Sequence, residues 1–247
     1  MAGREKVIEV RRLSNRAEFE AAVRLQKEIW GFEDIELLPV RLFVVADKIG
    51  GHSFGAYDGD RMVGFCVAIV GLKAGGRSYL HSHMLGVLPE YRDGGLGRRL
   101  KVAQRDEALA RGIELIEWTF DPLEIKNAFF NMERLGAMVR RYVENQYGTT
   151  SSPLHGGLPT DRCIAEWWIA SPRVECTLAG APPPRNVVDL VPVPNDIDAI
   201  RRDDPKRARE IQLAIGARLQ RLFQQGLAVT GFERGPEHSS YLVGPWS

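Results

Sequence analysis

The chain has 247 residues, enough for one large domain or for one domain with a smaller appendage. Its formal net charge of +1 provides no general attraction for polyanions, so the composition gives no indication of nucleic-acid binding. The three cysteines lack metal-ligand spacing, and the sequence has neither a signal-peptide core nor an apolar run of membrane-spanning length, so we expect a soluble cytoplasmic protein.

Hydrophobic periodicity predicts alternating strands and helices over the first half of the chain. Lys6 to Leu13 alternates like a strand, and Asn15 with Glu18 forms a capping-box pattern at the start of a helix. We expect five side chains of this helix to face the core: Phe19, Ala22, Val23, Ile29 and Trp30. The next predicted elements are a helix from Pro39 to a stop at Gly50, strands at His52–Tyr57 and Met62–Leu72 joined at Asp58-Gly59, a strand at Tyr79–Val87, and a helix from Leu96 to Arg111.

The second half begins with the same alternation and holds one long loop. This loop, Gln146–Arg162, contains several glycines and prolines, and its length is typical of functional or disordered segments. The predicted elements around it are a strand at Ile113–Phe120, a helix opening at Asp121-Pro122 and stopping near Gly136, and strands at Ala137–Glu144 and Cys163–Ala170.

Beyond residue 175 the composition shifts to a proline-rich tail. Two proline clusters, at 181–184 and 191–194, predict a stiff, extended connector. Pro205 to Gln225 predicts an amphipathic helix, and Leu227–Phe232 with Ser240–Val243 predicts a hairpin. So few residues cannot bury a core of their own. We therefore predict two domains, residues 1–175 and 176–247, with the second packing on the first in the same chain or across a homodimer.

The most informative segment, Val87 to Leu100, runs from a strand end through a glycine-rich turn into a helix. Amide groups at the start of a helix have no partners within that helix, and the helix dipole adds partial positive charge. Glycines let the backbone approach a ligand closely, and arginines flank the glycines here. The segment therefore predicts an anion site suited to a pyrophosphate.

The spacing of the glycines distinguishes among the known phosphate-binding loops. A Walker loop requires a Lys-Ser or Lys-Thr pair after its last glycine, and none follows here. A dinucleotide fingerprint that starts at Gly95 requires a third glycine at position 100, where this sequence has Leu100. The pattern present is Arg92-x-x-Gly95-x-Gly97 after a strand. This pattern resembles the acyl-CoA loop of the GNAT N-acyltransferase superfamily. The alternative is an ordinary strand–helix turn with surface arginines.

The resemblance covers about Val7 to Ala170 and implies an α/β (α+β) fold. Such a fold has a mixed, mostly antiparallel central sheet flanked by helices, here with a C-terminal helix-hairpin extension. The resemblance also implies acetyl-CoA or another short acyl-CoA as co-substrate, and no metal. The residues that it assigns to acyl-CoA binding are Leu85, Val87, Arg92, Gly94, Gly95, Leu96, Gly97, Arg98 and Asn127.

Two histidines on the strand before the turn are the first candidates for a catalytic base. His81 and His83 share one face of the predicted strand, and this strand carries the base in some GNAT enzymes; His83 lies nearer the turn. The same spacing suits two zinc ligands, or histidines that are hydrogen-bonded in a half-buried strand. Glu117, on the next strand, is the third candidate for the base, while Asp121 is interpreted as a helix cap.

The sequence departs from the family pattern where an acid is expected. Many GNAT enzymes carry a tyrosine four residues before the glycine that ends this helix, as the acid for the departing thiolate. Counting back from Gly136 gives Met132, which cannot donate a proton, and Asn127 lies two residues nearer that glycine than the usual asparagine. Tyr142 and Tyr147 are alternative donors.

Two classes of function are compatible with these residues. The first is an N-acetyltransferase that moves an acetyl or other short acyl group from acyl-CoA to an amine, with the long loop covering a small-molecule acceptor. The second is a non-catalytic acyl-CoA-binding regulatory module, which the missing tyrosine favours. Neither class calls for a nucleic acid or a membrane as a partner.

Overall fold

The computed structural model describes residues 8–148 and 157–246. Within them the chain is a mixed α/β protein with a mostly antiparallel sheet flanked by helices, as expected. It forms two compact units, Met1–Ile116 and Glu117–Ser247, hereafter unit 1 and unit 2. The start of the strand predicted from Lys6 and the middle of the loop predicted at Gln146–Arg162 lie outside the described residues.

Unit 1 contains a four-stranded antiparallel sheet in the order β1-β2-β3-β4. Short 3-10 turns precede α2 and α3. The elements of unit 1 are β1 (Glu9–Arg12), α1 (Arg16–Trp30), α2 (Val40–Lys48), β2 (His52–Asp58), β3 (Arg61–Leu72), β4 (Ser78–Val87) and α3 (Leu96–Ala110).

Local signals in the sequence account for the boundaries of these elements. The side chain of Asn15 accepts a hydrogen bond from the Glu18 amide, and the Glu18 side chain caps the helix start in return, so the predicted capping box is confirmed. Gly59 adopts a φ of 60° in the tight turn between β2 and β3, which confirms the predicted hairpin. Pro39 is the N-cap of α2 rather than its first residue.

The helices of unit 1 lie on both faces of its sheet. The ring of Phe65 on β3 packs against Trp30 of α1 and Phe43 of α2, with ring centroids 5.9 and 6.2 Å away. The next residue, Cys66, points to the other face, where its Sγ donates to the Leu100 carbonyl of α3 at 3.8 Å. Adjacent strand residues face opposite ways, so α1 and α2 cover one face and α3 covers the other.

Unit 2 contains the strand order β5-β7-β6-β9-β10-β8, and the boundary between the units falls within β5. Its elements are β5 (Leu115–Phe120), α4 (Ile125–Phe129), a π-helical turn (Phe130–Arg134), β6 (Met138–Val143), β7 (Arg162–Trp168), α5 (Pro172–Leu178), β8 (Asp189–Pro194), α6 (Ile197–Asp203), α7 (Pro205–Gln224), β9 (Ala228–Arg234) and β10 (His238–Gly244).

The tail contains more regular structure than the sequence predicts. The long helix and the hairpin are confirmed as α7, β9 and β10, but α5 and α6 were not predicted. The second proline cluster is not a free connector, since it forms β8 and pairs with β10. Proline lacks a backbone donor, so it is found in edge strands, and β8 is the last strand of the order in unit 2.

The helix predicted to open at Asp121-Pro122 begins instead at Ile125. The carboxylate of Asp121 accepts a hydrogen bond from the Leu123 amide at 2.8 Å and forms an ion pair with Arg201 at 2.8 Å. Asp121 therefore shapes a turn before α4, and its interpretation as the helix cap was wrong. None of the helices in the described part of the chain combines the length and apolar character that crossing a bilayer requires.

Candidate functional site

The glycine-rich turn lies in unit 1 between β4 and α3. Gly95 is the N-cap of α3 and adopts a left-handed conformation, with a φ of 75°. Among the described residues, no side chain caps this helix start. A Cβ placed on Gly94 or Gly95 would meet no atom within 4 Å, so open space lies in front of the turn. Uncapped amides that face open space suit a phosphate group, and the turn fits the anion that the sequence predicts.

Contacts with β4 and with the hairpin turn hold the residues before the glycines. The guanidinium Nε of Arg92 donates to the Val87 carbonyl at 3.0 Å, while the rest of this side chain remains exposed. The hydroxyl of Tyr91 donates to the carboxylate of Asp58 at 2.6 Å. These hydrogen bonds hold the path of the chain into the turn.

Strand β4 contains a β-bulge that the sequence does not reveal. Ser82 lies opposite Ala68 of β3 and Met84 lies opposite Val67, so His83 between them is the extra residue. A bulge reverses the alternation of side chains along the rest of a strand. Bulges often occur beside active sites, where they redirect a side chain.

The two histidines lie side by side on β4, with ring centroids 6.0 Å apart. Burial, followed by the positive charges of His83, Lys101 and Lys73, lowers the pKa of the half-buried His81 to about 4. The side chain of His83 is exposed, yet the protein around it lowers its pKa by partial desolvation. Both imidazoles are therefore neutral at pH 7, the state that a general base requires.

The third candidate for the base, Glu117 on β5, is buried in unit 2. Its carboxylate pairs with Arg141, which also donates to Glu166 at 3.2 Å. Arg140 forms a further ion pair with Glu166. Glu117 thus belongs to an ion-pair network of two glutamates and two arginines, and it would have to accept a proton while its carboxylate is paired with Arg141.

The helical residues implied by the resemblance have different environments in unit 2. Asn127 is exposed on α4. Met132, at the position where many GNAT enzymes carry a tyrosine, is fully buried in the π-helical turn. The preceding residue, Asn131, accepts a hydrogen bond from the Trp118 indole at 3.2 Å. A π-helical turn inserts one extra residue into a helix, and sequence patterns give no signal for it.

The two tyrosines considered as alternative donors are also distinguished by the structure. The hydroxyl of Tyr142 donates to the carboxylate of Asp161 at 2.8 Å, and burial together with this carboxylate raises the pKa of Tyr142. Tyr147 is exposed, and its hydroxyl lies 3.0 Å from the hydroxyl of Thr119 on β5. Tyr142 is half-buried, so Tyr147 is the more exposed of the two tyrosines.

In the described part of the chain, the two histidines are not joined by a further side chain as metal ligands. Within residues 8–148 and 157–246, no group of three or more histidine, cysteine or acidic side chains is arranged to hold a metal ion.

The uncapped glycine turn, the bulged strand and the mostly antiparallel sheet define an α/β protein with an open helix start after a strand. A family model described as the acetyltransferase (GNAT) family matches residues 15–136. Residues 15–136 therefore form a domain of the GNAT acetyltransferase family. Among curated proteins, no sequence matches the chain.

Solved structures of acetyltransferases share this fold. The ribosomal-protein-S18-alanine N-acetyltransferase of Escherichia coli aligns with a TM-score of 0.53 and 19% identity over 67% of this chain and 96% of its own. NAA60 of Arabidopsis thaliana in complex with acetyl-CoA aligns with a TM-score of 0.53 and 14% identity over 66% and 99%. The yncA protein of Salmonella typhimurium with acetyl-CoA aligns with a TM-score of 0.52 and 18% identity over 67% and 97%.

Proposed function

We propose that this protein is an acyl-CoA-dependent N-acetyltransferase that transfers an acetyl or another short acyl group to an amine of a small molecule. The observation that carries the proposal is the uncapped, left-handed glycine turn at the start of α3, which directly follows a strand with a bulge at a neutral histidine. Family membership supplies the reaction class. The acceptor is assigned only by its chemistry, a nucleophilic amine.

In this proposal the turn binds the pyrophosphate of acyl-CoA. The amides of Leu96 and Gly97 at the helix start, and the side chains of Arg92 and Arg98, would supply the donors and the positive charge. The backbone of β4 at Leu85 and Val87 would pair with the pantetheine arm, as the family resemblance implies. Asn127 would be the contact on α4, and its exposure is compatible with that function.

His83 would accept the proton of the acceptor amine as the amine attacks the acyl carbonyl. A neutral imidazole is needed for this step, and the lowered pKa of His83 supplies it at pH 7. The exposed His83 is better suited than the half-buried His81, and Glu117 is already paired with Arg141. Of the two tyrosines, Tyr147 is the better donor for the thiolate that leaves, because the Tyr142 hydroxyl already donates to Asp161.

A second function, a non-catalytic acyl-CoA-binding module, is favoured by one observation. The position of the usual tyrosine holds a fully buried methionine, which cannot donate a proton. In that case the glycine turn would bind acyl-CoA and no acyl group would be transferred. An activity measurement decides between the two functions.

The test is an assay of free-thiol release from acetyl-CoA across a library of amines that includes small metabolites and short peptides. We expect turnover with at least one amine, and we expect His83→Ala to lower kcat by about 10²-fold. The kcat of the wild-type enzyme should fall as the pH drops through the pKa of His83, which lies below the ordinary histidine value. His83→Ala should lose this acid limb.

The His81→Ala variant is the matched control. If His81 were the base, this variant would be the damaged one and the acid limb would lie near pH 4. If neither variant changed kcat, Glu117 would become the candidate. Tight binding of acetyl-CoA without thiol release from any amine would support the binding module instead.

A further inference from the structure

A chain of buried hydrogen bonds links α3 to β4 immediately before the bulge. The Nζ of Lys101 donates to the hydroxyl of Ser82 at 2.7 Å, and this hydroxyl donates to the Oε1 of Gln104 at 2.9 Å. Lys101 is 2% exposed, Ser82 is 4% exposed and Gln104 is fully buried. Charged and polar groups are rarely buried so completely unless they are paired.

The chemistry of the Ser82 hydroxyl determines which group donates in each of these two hydrogen bonds. Ser82 has a single hydroxyl proton, which goes to Gln104, so its remaining contact must come from a donor. Lys101 supplies that donor whether it is charged or neutral, because an amine keeps two N–H groups. Burial lowers the pKa of Lys101 to about 7, with the Cys66 thiol acting in the opposite direction. The hydrogen bond therefore persists across neutral pH.

Ser82 is the last regularly paired residue of β4 before the alternation of its side chains changes. Its side chain points to the face covered by α3, as its contact with Gln104 shows. Four residues later, a Cβ placed on Gly86 would meet Ile29 and Trp30 of α1, on the opposite face. In a regular strand both positions would share one face. The reversal occurs at His83, between the part of β4 that Lys101 holds and the part that leads into the glycine turn.

We propose that Lys101, acting through Ser82, is a positioning residue that holds the bulge of β4 and so sets the orientation of the His83 imidazole. The inference rests on the proposed function in one respect, the assignment of His83 as the base. The contact to Ser82 anchors the last regularly paired residue before the bulge. Without that anchor the extra residue can shift by one position along β4, and the two histidines lose their fixed directions.

The test is a double-mutant cycle in the full-length protein with Lys101→Met, Ser82→Ala and the double variant. Each single substitution should lower kcat by about 10-fold to 100-fold, because a small displacement of a reacting group has costs of this size. The loss of kcat in the double variant should be clearly smaller than the product of the two single losses, since both substitutions remove the hydrogen bond between Lys101 and Ser82. KM for acetyl-CoA, and its dissociation constant by calorimetry, should stay unchanged. Additive losses, or an unchanged kcat in both single variants, would overturn the proposal.

A second measurement does not depend on activity. The ring resonances of His83, followed by NMR in protein labelled at histidine, should titrate at a shifted pH in Lys101→Met and in Ser82→Ala, while the resonances of His238 on β10 stay as a reference. Ala108→Gly controls for stability: Ala108 is fully buried on α3 seven residues after Lys101, and a glycine destabilises the helix by about 1 kcal/mol. This control should leave the His83 titration unchanged.

The two measurements separate the two proposals. If the wild-type protein showed no thiol release, the proposed function would fail and the NMR titration would still decide the positioning role. A His83 titration that is identical in the wild type, Lys101→Met and Ser82→Ala would overturn that role, even if both variants were less stable.

Discussion

At the scale of single residues, Gly95 matters to the proposed anion site in two ways. Its φ of 75° places it in the left-handed region, which side chains of L-residues rarely adopt. The space beside its Cα is also open, since a Cβ placed there would meet no atom within 4 Å, and the first amides of α3 follow directly in the chain. A substitution at Gly95 would therefore strain the backbone and cover the amides at once, and an experiment has to separate these effects.

We predict that Gly95→Val lowers the affinity for CoA by 10-fold or more, roughly the loss of one or two charge-assisted hydrogen bonds. The left-handed backbone should add a cost of about 1–2 kcal/mol to the free energy of folding. Calorimetry with CoA and denaturant unfolding measure the two effects separately.

Gly112, just beyond the other end of α3, provides the matched control. It also has a left-handed φ, of 71°, with no atom within 4 Å of a Cβ placed on it. Gly112→Val should lose a similar amount of stability and keep its affinity for CoA. An equal loss of affinity in both variants would assign the effect at Gly95 to strain alone and remove the support for this anion site.

At the scale of secondary structure elements, the sequence predicted most of unit 1 because its boundaries depend on local chemistry. The capping box at Asn15, the turn at Gly59 and the glycine start of α3 each act within a few residues. The bulge at His83 and the π-helical turn at Phe130–Arg134 were missed, since one extra residue is accommodated by packing and leaves no local signal. At the candidate site, the sequence predicts which types of residue are present. The burial of Glu117 and its ion pair with Arg141 could be seen only once the fold was known.

The π-helical turn is held by residues of the tail within unit 2. The carboxylate of Glu133 accepts a hydrogen bond from the Phe232 amide of β9 at 2.8 Å and pairs with Arg185 at 2.7 Å. At the end of the turn, the indole of Trp167 donates to the Leu135 carbonyl at 2.6 Å. A π-helical turn is rare because it is less stable than a regular helix, so such contacts stabilise it.

We predict that Glu133→Ala lowers the free energy of unfolding by about 2 kcal/mol, the typical contribution of a hydrogen bond to a charged group. Glu133→Gln should lose less, because its amide oxygen can still accept from the Phe232 amide. Denaturant unfolding followed by tryptophan fluorescence measures both variants. The control is Glu210→Ala on the exposed side of α7, which should change stability by less than about 0.5 kcal/mol. Equal stability of Glu133→Ala and the control would show that the tail does not hold this turn.

At the scale of the whole molecule, the tail is an integral part of unit 2, because its strands and side chains contact the earlier elements of that unit. Val229 of β9 pairs with Val139 of β6, so the hairpin extends the sheet of this unit. The hydroxyl of Tyr241 donates to the Pro122 carbonyl at 2.6 Å, and Arg201 of α6 pairs with both Asp121 and Glu124 at 2.8 Å. The turn between β5 and α4 is thus held by residues 77 to 119 positions away in the sequence, and no local pattern indicates this.

The dependence of unit 2 on its tail leads to a prediction about truncation. A chain that ends at Ala170 would expose the edge of β6 and the apolar side chains that face α7 and β9. It would also leave the carboxylate of Asp121 without Arg201, and a buried charge that loses its partner is strongly destabilising. We expect this chain to aggregate or to melt several degrees lower than the full-length protein, and to bind a hydrophobic dye.

A chain that ends at Gly244 is the control, because it keeps β10 and, among the described contacts, loses the stacking of Trp246 on Arg140 at 3.7 Å. If the chain ending at Ala170 were soluble, monomeric and as stable as the control, the tail would be a tethered appendage. The acyl-CoA-binding module would then gain support, because a tail that is free to move can transmit ligand binding to a partner.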